Sequence, residues 1–264
     1  LKTPRRLTLD ESEEYSRAWT PDSKAVVFVS DRNGHSDIYK QGIDQITVET
    51  VFASPEDKTT WGLSPDGEWV FYATQSAPVR LMRAPMSGGP AQFMWNTEPE
   101  FNQISCARLP SAFCVYAWEE QKQLVLSSYD LVTRKRRELA RVAGGKNLDV
   151  FPDGSGMAVV IGGPSADRLR IISPAGETQS EFAVKGWSAI THIWCSADSK
   201  GFYLTSQSQP NVATLLYVDL HGNARVLWQL KGSPYGWAVP SPDGRYLAIT
   251  GTTQTSDAWL LENF

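Results

Sequence analysis

The 264-residue chain is 41% hydrophobic and 20% charged, a composition that excludes a disordered polypeptide. Its net charge of −4 argues against a nucleic-acid surface, which needs a concentrated basic footprint. No apolar run approaches the roughly 18 residues of a membrane span, and the first residue is Leu1, not Met, so a processed or excised piece of a longer polypeptide is expected.

Taken in chain order, the elements begin with a short strand over residues 5–9. A turn at Pro21-Asp22-Ser23 follows, then apolar Val26, Val27 and Phe28 and a further strand at Asp37-Ile38-Tyr39. Pro65-Asp66-Gly67 repeats the turn ahead of Val70, Phe71 and Tyr72. The third slot, Pro110-Ser111-Ala112, has lost the acid and the glycine but still precedes Val115, Tyr116 and Ala117. Pro152-Asp153-Gly154 leads to Met157, Ala158 and Val159, then to Leu169-Arg170-Ile171-Ile172. Ala197-Asp198-Ser199 leads to Phe202, Tyr203 and Leu204, to Leu215-Leu216-Tyr217, and to a more polar strand at Ala224-Arg225-Val226-Leu227. The last copy, Pro242-Asp243-Gly244, precedes Leu247, Ala248 and Ile249 and ends with Ala258-Trp259-Leu260-Leu261.

The turn anchors fall at 22, 66, 111, 153, 198 and 243, in steps of 44, 45, 42, 45 and 45. Pro presets its backbone angle, Asp bonds back to nearby amides, and Gly takes the left-handed conformation of a tight hairpin. The three apolar residues after each turn point to alternate faces, so both faces of that strand are covered. A sandwich would expose one face, whereas a radial blade between two neighbours exposes neither. Four strands per repeat of about 40–45 residues make this an all-β, six-bladed β-propeller occupying residues 1–264 as one domain. The last repeat lacks a fourth strand, and residues 5–9 are expected to supply it and close the ring.

Trp19-Thr20-Pro21-Asp22-Ser23-Lys24, then Ser30-Asp31-Arg32-Asn33-Gly34 and Asp37-Ile38-Tyr39, resembles the TolB-type, WD40-like propeller repeat, which runs W-S-P-D-G-K, S-D-R-x-G, D-I-Y. The likeness covers essentially the whole chain, with the third repeat departing most. The final residues, 257–264, resemble the ends of propeller regions fused behind bacterial winged-helix regulators or serine/threonine kinases. The resemblance implies a protein- or ligand-binding role in a larger bacterial signalling or envelope protein, usually outside the cytoplasm. It brings no catalytic residues.

The chemical candidates are sparse. Gly186-Trp187-Ser188-Ala189-Ile190 lacks the second glycine of a nucleophile elbow and reads as a loop. Gly144-Gly145-Lys146-Asn147 reads as a turn, too short to cradle phosphate. His35, His192 and His221 lie at different offsets in three repeats, and only His192 is placed to reach the central channel. Neither a metal set nor a cofactor is expected. Arg134-Lys135-Arg136-Arg137 reads as a solvated turn. Cys106 and Cys114 flank the turn at Pro110, a placement that allows them to face each other across a hairpin, with two buried thiols expected and a disulfide as the alternative.

Aromatics gather in the approaches to the inner strands: Tyr15, Trp61, Trp187, Tyr235 and Trp237. With Arg17, Lys58, Glu100, Asn102, Lys146, Asn147 and His192 they are expected to form a recognition face at the channel mouth, opposite the Pro-Asp-Gly hairpins. The competing reading packs the rings between blades. A non-catalytic sensor or scaffold binding a protein partner or small ligand follows, monomeric as a fragment, with no nucleic-acid or membrane contact. A metal-dependent lyase or lactonase using the channel is the alternative.

Overall fold

The computed structural model describes residues 4–8, 12–98, 100–233 and 235–252, with only the backbone of Thr60, Trp61 and Asn102. Its strands are β1 (Glu14–Trp19), β2 (Ala25–Ser30), β3 (Asp37–Gly42) and β4 (Val48–Phe52) in the first sheet. The second sheet holds β5 (Lys58–Leu63), β6 (Trp69–Thr74), β7 (Arg80–Pro85) and β8 (Gln92–Asn96). The third holds β9 (Phe101–Cys106), β10 (Cys114–Glu120), β11 (Gln123–Tyr129) and β12 (Arg136–Ala143). The fourth holds β13 (Gly145–Val150), β14 (Met157–Ile161), β15 (Arg168–Ile172) and β16 (Thr178–Ala183). The fifth holds β17 (Ile190–Cys195), β18 (Gly201–Gln209), β19 (Val212–Asp219) and β20 (Ala224–Lys231). A two-stranded sheet, β21 (Gly236–Pro240) and β22 (Leu247–Gly251), completes the described set.

Each sheet is an antiparallel meander in sequence order. The first strands touch in the order β1, β5, β9, β13, β17, β21, and β21 returns to β1, so they ring an axis. The second strands of the five full sheets are buried over most of their length, as the apolar runs require, and every residue of β14 is buried, whereas Leu247, Ala248 and Ile249 of β22 in the two-stranded sheet are only half-buried. The apolar clusters lie between neighbouring sheets, for example where Ala158 and Val160 meet Phe202 and Leu204. Outer strands such as β12 and β20 are largely exposed, which suits their polar composition.

The turn chemistry is uniform. Asp22, Asp66, Asp153, Asp198 and Asp243 each accept a bond from the amide two residues on. Ser111 keeps a weaker version, accepting from Phe113 N at 3.2 Å.

Two expectations change, and a third falls partly outside the described residues. Cys106 and Cys114 form a disulfide rather than two thiols, because they stand directly opposite in the β9–β10 register with Cα atoms 4.0 Å apart. Gly145, Lys146 and Asn147 begin β13 instead of forming a turn; only Gly144 has a left-handed backbone, at φ 68°. Residues 5–8 form no strand, and residue 9 and residues 258–261 lie outside the described residues.

The seam between first and last sheets is closed by side chains. Trp19 Nε1 donates to Val239 O at 2.9 Å, and Trp237 Nε1 donates to Ser16 O at 2.7 Å. Ser16 N and Oγ both meet Thr250 Oγ1, at 3.0 and 2.6 Å.

Candidate functional site

Each inner strand of the five full sheets skips one residue in its pairing with the second strand. The skipped residues are Arg17, Trp61, Asn102, Lys146 and Thr191, at steps of 44, 41, 44 and 45. A bulge bends the strand and re-aims the side chain that escapes the ladder. Beyond it, alternate residues face the axis: Gln103 and Ser105 on β9, Asn147 and Asp149 on β13, His192 and Trp194 on β17.

These residues line an axial channel in two segments. One, about 240 Å³, is walled by Arg17, Gln103, Asn147, Asp149, His192 and Trp194. The other, about 340 Å³, lies towards the Pro-Asp-Gly hairpins and reaches Pro21, Pro65, Pro152 and Pro242. Arg17, Ser105, Asp149 and Trp194 line both, so the segments are continuous.

The wall is tied blade to blade at the repeat spacing. Gln103 Nε2 donates to Leu148 O at 2.6 Å, and Asn147 Nδ2 to Thr191 O at 3.1 Å. Asp149 bridges three sheets, accepting from Ser105 Oγ at 2.7 Å and from Cys195 N at 2.8 Å. Burial raises its carboxyl above the ordinary range, although those bonds and the Arg108 charge oppose the shift. Burial likewise raises the free, buried Cys195 thiol.

Tyr15, Trp237, His192 and Trp194 stack in series, with centroid separations of 5.7, 4.9 and 5.7 Å. The Arg17 guanidinium lies over Trp237 at 4.8 Å. His192 keeps part of its surface on the channel, but the rings on either side exclude water. Its pKa falls to about 4, chiefly by burial and then by the Arg17 charge, so it is neutral at pH 7. Burial also lowers Arg17, to about 10, which leaves it charged.

The sequence candidates divide accordingly. Arg17, Asn147 and His192 reach the channel, and Tyr15 abuts it through the stack. Trp237 is buried and holds the seam, so it is not an open recognition surface. Lys58 is buried too: its Nζ donates to Asp37 Oδ1 and Glu56 O, both at 2.6 Å, and to Ser54 O, tying the first sheet to the second. Trp187 packs on the core between the fourth and fifth sheets. Lys146 lies 3.6 Å from Asp167 Oδ2, and Glu100 and Tyr235 are exposed. Trp61 and Asn102 hold bulge positions, but their side chains lie outside the described residues. Among the described residues no group of three or more His, Cys, Asp and Glu is placed to hold a metal. Sequence reading missed Gln103, Ser105, Arg108, Asp149 and Trp194. For the four on inner strands the i, i+2 alternation was the available signal; Arg108, in the loop after β9, carried none.

No protein-family profile and no curated protein matches the chain in sequence. Its shape does have relatives. The chain is a β-propeller. It is similar to a protein assigned as TolB from Agrobacterium tumefaciens, at a TM-score of 0.71 and 16% identity over 93% of this chain and 92% of that one. TolB from Acinetobacter baumannii matches at 0.68 and 17% identity, over 85% of this chain and 56% of that one. An oligogalacturonate lyase in complex with manganese matches at 0.58 and 16% identity, over 91% and 70%. At such identities the likeness speaks for the fold alone.

Proposed function

We propose that the chain is a non-catalytic recognition propeller whose axial channel takes a small ligand bearing a carboxylate or phosphate. The observation carrying this reading is that the guanidinium-bearing residues Arg17 and Arg108 line one cavity whose two carboxylates are engaged by the wall. Asp149 accepts from Ser105 and Cys195, and Asp66 serves its own turn through Ser64 and Glu68 N. Arg108 uses one of its five donors on Pro242 O, at 3.0 Å. His192 is neutral and adds polarity without competing charge. A TolB-like role outside the cytoplasm fits the Cys106–Cys114 disulfide, since cytosolic thiols stay reduced.

The same reading takes the ring as six blades, the last completed by residues 258–261 and by residues 5–9 at its outer edge. Support comes from where the N-terminal segment sits. Leu7 O accepts from Gln41 Nε2 at 3.0 Å, and Arg5 bonds Ile43 O, beside the turn between β3 and β4. Leu139 of β12 abuts Gly176 in the equivalent turn of the fourth sheet, and Ala183 of β16 abuts Gly222 in that of the fifth. Residues 5–7 thus stand where a preceding blade's fourth strand stands.

A thermal-shift panel of small carboxylates, phosphates, neutral sugars and amines tests the ligand class. A ligand at a hundred times its Kd stabilises by about 2.7 kcal/mol, a rise of roughly 5–10 °C for a domain of this size. Anionic members alone should give such shifts, and Arg17→Gln should abolish them. Shifts from neutral or cationic members that survive Arg17→Gln, or turnover of a bound compound, would overturn the reading.

A further inference from the structure

The third repeat lacks the Pro-Asp-Gly turn, and its loop behaves unlike the others. Residues 107–113 span seven positions between β9 and β10, where the matching hairpins have five or six. The loop also bonds to three other sheets. Leu109 N donates to Pro65 O at 3.2 Å, and Arg108 N donates to Pro152 O at 2.9 Å. Arg108 Nη1 reaches Pro242 O at 3.0 Å. These acceptors are the turn prolines of the second, fourth and sixth repeats. The third and last sheets face each other across the ring, so the Arg108 side chain spans the hairpin-side mouth.

Packing reinforces the placement. A Cβ on Gly154, in the fourth repeat's turn, would meet Ser111 Oγ at 2.0 Å, so the loop needs a glycine beneath it. The Cys106–Cys114 disulfide joins the loop's two ends. Cys106 lines the 340 Å³ cavity, while Cys114 is buried.

We infer that residues 107–113 form a strap barring the hairpin-side mouth of the channel, held by Arg108 and the disulfide, and that a dithiol reductant releases it. Ligand then reaches the channel of the oxidised protein from the opposite mouth. In the reduction, a reductant thiolate attacks Cys106 Sγ from the cavity and expels the Cys114 thiolate, which takes up a proton. The reductant's second thiol, losing its proton, attacks the mixed disulfide and releases Cys106. The reductant ends as a disulfide and the protein as two thiols. The strap then keeps only its hydrogen bonds.

Cys195 reports on the opening, because it lines the strap's segment of the channel yet is itself buried, so a reagent entering by the opposite mouth does not reach its sulfur until the strap lifts, and it is the free cysteine of the oxidised chain. The experiment measures iodoacetamide labelling of Cys195, read on its own peptide by mass spectrometry, and needs no ligand. It therefore stands or falls apart from the proposed anion site. Pretreatment with dithiothreitol, the pair Cys106→Ser/Cys114→Ser, and Arg108→Ala should each speed labelling about five- to tenfold, the effect of losing one or two pinning contacts from a local opening. The Arg108 charge favours the Cys195 thiolate, so its loss through chemistry alone would slow alkylation. Acceleration in Arg108→Ala thus means access. Lys58→Met, destabilised far from the strap, should label Cys195 like the wild type. Equal rates before and after dithiothreitol, a disulfide that dithiothreitol leaves intact, or Lys58→Met labelling as fast as Arg108→Ala would overturn the strap.

Discussion

Replacing Trp237 with Phe tests how the ring closes. The change keeps an aromatic ring in the Tyr15–His192 stack and deletes one N–H, the donor to Ser16 O at 2.7 Å. Ser16 is buried, so its carbonyl loses a partner that water cannot replace. Leaving a buried acceptor unsatisfied costs about 1–3 kcal/mol. At roughly 2–4 °C per kcal/mol for a domain of this size, the melting midpoint should fall by about 2–12 °C. Trp19→Phe removes the reciprocal bond to Val239 O, also buried, and should cost a similar amount. Both bonds bridge one seam, so the double variant should fall short of the sum by at least about 0.5 kcal/mol, because a seam opened by the first change has less left to lose. Scanning calorimetry on the four proteins measures this, with exposed Tyr235→Phe as the control. If both single variants melt within a degree of the wild type, the indole bonds do not close the ring.

Two further outcomes follow from buried charge. His192 has a folded pKa of about 4 against 6.5 when unfolded, so the unfolded chain takes the proton first as pH falls. Its contribution is complete above pH 6.5 and is lost towards pH 4, by about 3 kcal/mol. Urea unfolding at pH 7 and pH 4 should show the advantage of wild type over His192→Gln shrinking by that amount; a constant difference would refute it. The comparison with the variant is needed because the raised carboxyl of Asp149 gains stability as pH falls, in the opposite sense. Lys58→Met strands Asp37 in the interior and should cost about 3–5 kcal/mol, with Lys58→Met/Asp37→Asn recovering part of it. Equal urea midpoints for the single and double variants would show that the stranded charge is not the cause.

The sequence read well wherever the information is local and repeated. A Pro-Asp-Gly turn is set by the backbone preferences of three adjacent residues, and two-faced burial of a strand follows from three consecutive apolar residues. Copying both at a near-constant spacing was enough to establish an all-β propeller. The inner strands could be placed, and with them Arg17, Asn147 and His192 near the axis. Trp237 and Lys58 could not be sorted correctly, because whether such a side chain faces water or a neighbour depends on what stands across the blade boundary, 20 or more residues away along the chain.

Tertiary structure alone decided the rest. The bulges that re-aim Arg17 and Lys146 arise from strand register, which no single strand's composition encodes. Cys106 and Cys114 are joined because β9 and β10 pair them face to face. Arg108 lies in the repeat that looked merely degraded, yet it spans the ring to Pro242, 134 residues away. Local turn and strand preferences are written in neighbouring residues, whereas contacts across a closed ring exist only once all the blades have assembled around one axis.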